Sequence, residues 1–111
     1  MEVQVAFLDF SNNTFNEGLN MKTLKLVLKK KWYEMIASGE KTEEYRDVTD
    51  YWNKRISGKG YQYVTFFLGY AKDRPSMTFE MRTPKISKGI PQWGAEIGKD
   101  YWVLRLGKRI S

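Results

Sequence analysis

Residues Gly39 to Arg46 read Gly-Glu-Lys-Thr-Glu-Glu-Tyr-Arg, placing a lysine, a glutamate and an arginine within six positions, Lys41, Glu44 and Arg46. A lysine held beside Arg46 and stripped of water has its pKa pushed down and can act as a base. If Glu44 pairs with Lys41 instead, the ammonium stays charged and serves as a clamp for a phosphate or a carbonyl. If Glu44 pairs with Arg46, Lys41 is freer to take part in catalysis, which makes Lys41 and Glu44 candidate acid/base residues. On a regular strand these two side chains point to opposite faces, so a shared site needs a turn or bulge at Lys41. The bland alternative is surface ion pairing, which is worth little.

Other residues suit ligand contact. Lys29, Lys30 and Lys31 stand at the start of a helical segment, the end where backbone N–H groups already attract anions. A bound phosphate would resolve that crowding of charge, and solvated side chains would tolerate it. Tyr70 and Trp93 fall in loops, Gly69–Pro75 and Gly89–Gly98, and could stack on bases. Trp52 is expected to pack a helix onto the body, and Trp32 is expected in the core. Arg55 suits the last turn of its helix without any ligand. Glu43, Glu44, Asp47 and Asp50 could offer oxygens to a divalent cation, but Arg46 among them argues against a metal site. No cofactor is called for.

Composition narrows the chemistry. The 111 residues contain neither cysteine nor histidine, which removes disulfides, thiolate nucleophiles, zinc fingers and imidazole catalysis. Any reaction must use Lys, Asp, Glu, Tyr, Thr or Ser. The net charge is +6, and residues 1–20 carry Glu2, Asp9 and Glu17 with no basic residue, so the remainder carries +9. That basic body holds all four tryptophans. Basic charge interleaved with aromatic rings suits nucleic acid, and a basic domain with an aromatic core reads the same way. No stretch has the ~20 apolar residues of a membrane span, and the N-terminus does not resemble a signal peptide. A cytoplasmic location is the expectation.

The elements that must position these residues follow from periodicity. Leu24, Leu26 and Leu28 alternate with Thr23, Lys25 and Val27, a strand with one apolar face. Lys30–Ser38 spaces Trp32, Met35 and Ile36 as a helical stripe, stopped by Gly39. Thr42–Arg46 is extended. Thr49 can cap a second short helix ending at Ser57-Gly58. Tyr61–Leu68 reads as a central strand, Met77, Phe79 and Met81 mark a half-exposed one, and Tyr101–Leu106 closes the domain. Five strands and two short helices predict an α+β, mainly β fold, a small curled sheet or barrel with helices at its mouth. The globular domain is expected to span 21–111, with 1–20 an accessory or flexible extension.

Gly39-x-Lys41-x-x-Glu44-x-Arg46 resembles the G-x-K-x-x-E-x-R signature of the ASCH (activating signal cointegrator homology) domain family. The Lys30-Lys31-Trp32 helix start, Tyr51-Trp52, Gly69-Tyr70, Trp93-Gly94 and the closing strand are similar to a small bacterial or phage branch. The resemblance implies a PUA-like β-barrel with its signature in a cleft between helix and barrel. It also implies binding of RNA or a modified nucleoside. One branch removes the acetyl group from acetylated cytidine with the motif lysine, a threonine three residues later and a distant glutamate. Here Lys41 matches the lysine, Glu44 stands where the threonine would be, and Glu80 or Glu96 would have to be the glutamate.

The leading expectation is therefore an RNA- or nucleoside-binding module with a basic cleft of Lys30, Lys41, Glu44, Arg46, Arg55, Tyr70 and Trp93. One alternative is a hydrolase acting on a modified nucleoside (amidohydrolase-like) or on RNA through Lys41 and Glu44. Another is a basic domain that binds an acidic protein partner.

Overall fold

The computed structural model describes residues 22–111; the expected extension 1–20 and the boundary at Met21 lie outside the described residues. Strand β1, Thr23–Leu28, buries Leu24, Leu26 and Leu28 on one face. Helix α1, Lys30–Ala37, follows after a single residue and ends before Gly39, whose φ of 87° only glycine adopts without strain. Strand β2 is Glu43–Asp47. Helix α2, Asp50–Ile56, is capped as expected: Thr49 Oγ1 accepts from the Trp52 N–H at 3.3 Å, with Asp50 in the first turn and Lys54 and Arg55 in the last. Strands β3, Tyr63–Leu68, β4, Ser76–Met81, β5, Lys85–Lys88, and β6, Asp100–Arg109, complete the sheet, with a 3-10 turn at Pro91–Trp93 between β5 and β6.

The strands form one six-stranded sheet in the order β1-β3-β4-β6-β2, with β5 also paired to β6. Among the described residues only the β1–β3 pairing is parallel, with Leu26 opposite Phe66, and its crossover contains α1, β2 and α2. The sheet curls into a half-barrel around Leu24, Leu26, Val64, Phe66, Met77 and Leu104, and Tyr33 and Ile36 of α1 and Ile56 of α2 complete this core. Each fully buried side chain of this size contributes about 1.5–3 kcal/mol. A second, smaller core of Ala95, Tyr101 and Val103, with Tyr45 packed against it, brings together β2, β6 and the loop that follows β5. Among the described residues, no helix is long and apolar enough to cross a membrane.

The α+β, mainly β reading holds, with two α-helices and a curled sheet, and β3 does lie between two neighbours. Three details differ. Among the described residues there are six strands, because Lys85–Lys88 pairs with β6 although Ile86 is its only apolar residue. The closing strand runs ten residues, not six. Trp32 is not a core residue: the buried side chains of α1 are Tyr33 and Ile36, which turns Trp32, one position earlier, to a half-buried flank.

Candidate functional site

After Gly39 the chain folds back so that the Lys41 N–H donates to the Met35 carbonyl at 3.0 Å. Lys41 thus precedes β2 rather than lying in it, which satisfies the requirement for a turn and lets its side chain meet that of Glu44. Lys41 is only 1% exposed. Its Nζ donates to the Trp93 carbonyl at 2.8 Å and lies 3.3 Å from Glu44 Oε1. The same ammonium stands 5.1 Å from the Trp32 ring centre and 4.8 Å from that of Tyr45. A carboxylate, a carbonyl and two ring faces are all electron-rich, so the surroundings favour a cation. Burial nevertheless pulls the Lys41 pKa below its usual value, while the Glu44 charge and hydrogen bond push it back up.

Glu44 is buried and shared. Its second oxygen accepts from Arg46 Nη2 at 2.8 Å, so it pairs with both basic residues and joins them into a triad. Arg46 also donates to the Val27 carbonyl at 3.3 Å, tying β2 to the outer edge of β1. Its guanidinium carbon lies 5.0 Å from the Trp52 ring centre. The buried Arg46 Nε has no hydrogen-bond partner among the described residues. An unpaired buried donor is costly, and here it belongs to a side chain that lines an open cleft.

The loop from Gly89 to Lys99 forms the other wall. Tyr45 OH donates to Glu43 and accepts from the Ile90 N–H at 2.9 Å. Burial raises its pKa well above the usual tyrosine value. Tyr101 OH accepts from the Glu96 N–H at 2.9 Å, and Lys99 bridges to Asp47 at 3.1 Å. Gly89 is required by close packing: a Cβ there would stand 2.6 Å from the Ala95 Cβ and 2.9 Å from the Tyr45 ring. Side chains from β2 and β6 therefore hold Trp93 in place.

Two adjoining cavities share Trp32, Glu44, Tyr45 and Asp47 and form the halves of one cleft. One, of 280 Å³, lies toward Trp93 and Lys99; the other, of 360 Å³, lies toward Lys29, Arg46 and Trp52.

Four of the sequence-predicted residues, Lys41, Glu44, Arg46 and Trp93, come together here. Lys41 lies beneath the cleft wall rather than lining it, and three others lie away from it. Lys30 is exposed and pairs with Glu34 at 2.7 Å, because an i,i+4 partner lies on its own helix face; Lys29, one residue earlier, lines the cleft instead. Tyr70 is 84% exposed in the turn after β3. Arg55 lies 5.5 Å from the Trp52 ring centre, behind the tryptophan that Arg46 also covers. The cleft is also not uniformly basic, since Glu44, Asp47 and Glu96 line it beside Lys29, Arg46 and Lys99. Of the two candidate distant glutamates, Glu96 lines the cleft, whereas Glu80 packs near Gly107 on β6.

Sequence reasoning placed Trp32 in the core and weighed Asp47 only as a metal ligand, and it missed Lys99 and the two pinning tyrosines, Tyr45 and Tyr101. The strand period pointed away from Tyr45, since a residue between Glu44 and Arg46 is expected on the opposite face; Lys99 depends on a loop path that no local pattern encodes. Compared with protein-family models, with curated proteins and with solved structures, the chain matches none.

Proposed function

We propose that the protein is a binding module for a nucleobase, presented as a nucleoside or within RNA, in the cleft between α1, β2 and the Gly89–Lys99 loop. The observation that carries this reading is the ring of half-buried Trp32, Trp52, Trp93 and Tyr45 around the Lys41–Glu44–Arg46 triad. Flat apolar faces beside fixed hydrogen-bonding groups suit a base, which needs stacking over its plane and partners at its edge. The likeness of Gly39–Arg46 to the ASCH signature supports the same reading, because that signature runs along this cleft.

Lys41 acts as an internal pin rather than a ligand contact. Its Nζ is enclosed and committed to Glu44 and the Trp93 carbonyl. The contacts left for a ligand are Arg46, whose Nε has no partner among the described residues, and the rings. The lowered pKa of Lys41 favours a second reading, in which the lysine serves as a base in hydrolysis of a modified nucleoside. That reading requires the Lys41–Glu44 pair to open.

Titration with nucleosides and short single-stranded RNA, followed by tryptophan fluorescence with product analysis of each mixture, tests both. Binding without product, weakened about 10- to 100-fold in Trp32→Ala as one lost stacking contact requires, supports the module. Unchanged affinity in Trp32→Ala would refute the assignment of the cleft. Conversion of a nucleoside that stops in Lys41→Met would establish the hydrolase.

A further inference from the structure

The 280 Å³ half of the cleft combines the rings of Trp32, Tyr45, Trp93 and Tyr101 with the carboxylates of Glu44, Asp47 and Glu96. Both Glu44 oxygens are already engaged, by Lys41 and by Arg46. Asp47 and Glu96 are not: among the described residues their counter-charge is the single ammonium of Lys99, at 3.1 Å and 3.9 Å. That ammonium also stands 5.1 Å from the Tyr101 ring centre. Lys41, deeper, sits against Trp32 and Tyr45 in the same manner. Both ammonium groups here therefore rest on an aromatic face with a carboxylate beside it, the combination that recognises organic cations. Among the described residues, no three His, Asp or Glu side chains are grouped to hold a metal ion, so an organic cation suits these carboxylates better than a metal.

Lys99 is the movable member. Its side chain is 41% exposed, whereas that of Lys41 is 1% exposed and fixed by two further contacts. A delocalised, flat cation would gain the same carboxylates and more ring contact, with less water to shed than an ammonium.

We propose that this half of the cleft selects a nucleobase carrying a positive charge, of the N-alkylated kind, and that the Lys99 ammonium holds the place of that charge. The inference rests on the nucleobase-binding reading and specifies which bases it favours. Two indole faces distinguish a flat cation from a tetrahedral ammonium, which lacks a plane to stack.

The test titrates the full chain with 1-methyladenosine and adenosine, 3-methylcytidine and cytidine, and tetramethylammonium, read by tryptophan fluorescence. The methylated nucleosides are expected to bind about tenfold tighter than their parents, the scale of a partly desolvated cation–π contact with a carboxylate beside it. Lys99→Gln should tighten binding of the methylated nucleosides and raise their preference over the parents, and Asp47→Asn should lower that preference. Equal affinity for methylated and parent nucleosides would overturn the inference and leave nucleobase binding standing. Failure of all four nucleosides to bind would overturn both. Tetramethylammonium binding as tightly as the methylated nucleosides would overturn the requirement for a base. Weaker binding of the methylated nucleosides to folded Lys99→Gln, with folding checked by circular dichroism, would also refute it.

Discussion

Replacing Lys41 by methionine removes one charge from a buried pair while keeping most of the side-chain volume. The Lys41 and Glu44 side chains are 1% and 9% exposed, so solvent screens their interaction little. Removing one partner of such a pair costs about 3–5 kcal/mol, because the other charge is left uncompensated. Arg46 still holds the second Glu44 oxygen at 2.8 Å, which places the loss at the low end. The Trp93 carbonyl loses its donor as well, adding about 1 kcal/mol. The expected destabilisation is about 3–4 kcal/mol, a large share of the roughly 5–15 kcal/mol of an ordinary domain. Urea unfolding should show a lower midpoint with an unchanged slope. Combining Lys41→Met with Glu44→Gln should cost less than the sum of the single changes by at least about 1 kcal/mol. A single variant within about 0.5 kcal/mol of the parent, the range of a surface substitution, would refute the claim that this pair organises the site.

The pH dependence has a definite sign. Because the Lys41 pKa lies below its usual 10.5, the unfolded chain binds more protons as pH approaches that value. Stability therefore rises there, and the rise should flatten in Lys41→Met when urea midpoints are followed with pH. Tyr45, whose pKa is raised above 10.0, acts oppositely: above pH 10 the unfolded chain releases a proton that the folded chain keeps, so stability falls. The fall should be shallower in Tyr45→Phe. Gly89→Ala forces a Cβ to 2.6 Å from Ala95 and should cost about 1–3 kcal/mol in thermal unfolding, with weaker ligand binding because the Trp93 loop shifts. Thr49→Ala removes the cap of α2 and should cost about 1 kcal/mol, measured in the same way, while leaving ligand affinity unchanged.

What could be read from the residues alone was whatever the local period encodes. The Leu24-Leu26-Leu28 alternation, the Gly39 stop and the Thr49 cap each depend on neighbours a few positions away, and each stands as expected. The need for a turn at Lys41 followed from strand geometry and was met by its hydrogen bond to Met35. β5 was hidden because only Ile86 is apolar in a strand whose partner, β6, is joined to it by the irregular Gly89–Lys99 loop rather than a tight hairpin turn. Trp32 was misjudged because a stripe of Trp32, Met35 and Ile36 and one centred on Tyr33 and Ile36 differ by a small rotation of α1, which tertiary packing decides. Lys30 and Tyr70 had suitable chemistry but face away from the cleft. The question of which partner Glu44 takes had no answer in spacing, since the carboxylate has two oxygens and each holds one cation.

Strand β6 also dictates when the protein can take shape during its synthesis. It pairs with β2 along one edge and with β5 and β4 along the other, and it follows all of them in the chain. A growing chain that has reached Trp93 already holds every member of the charged triad and its tryptophan wall. Yet β2 and β5 then have no strand to lie against. Until residues as far as Arg105 have been made, β2, which carries Glu44, lacks the strand it pairs with. The cleft is therefore incomplete while the segments up to Trp93 are being translated, because the strand that β2 and β5 share has yet to be made.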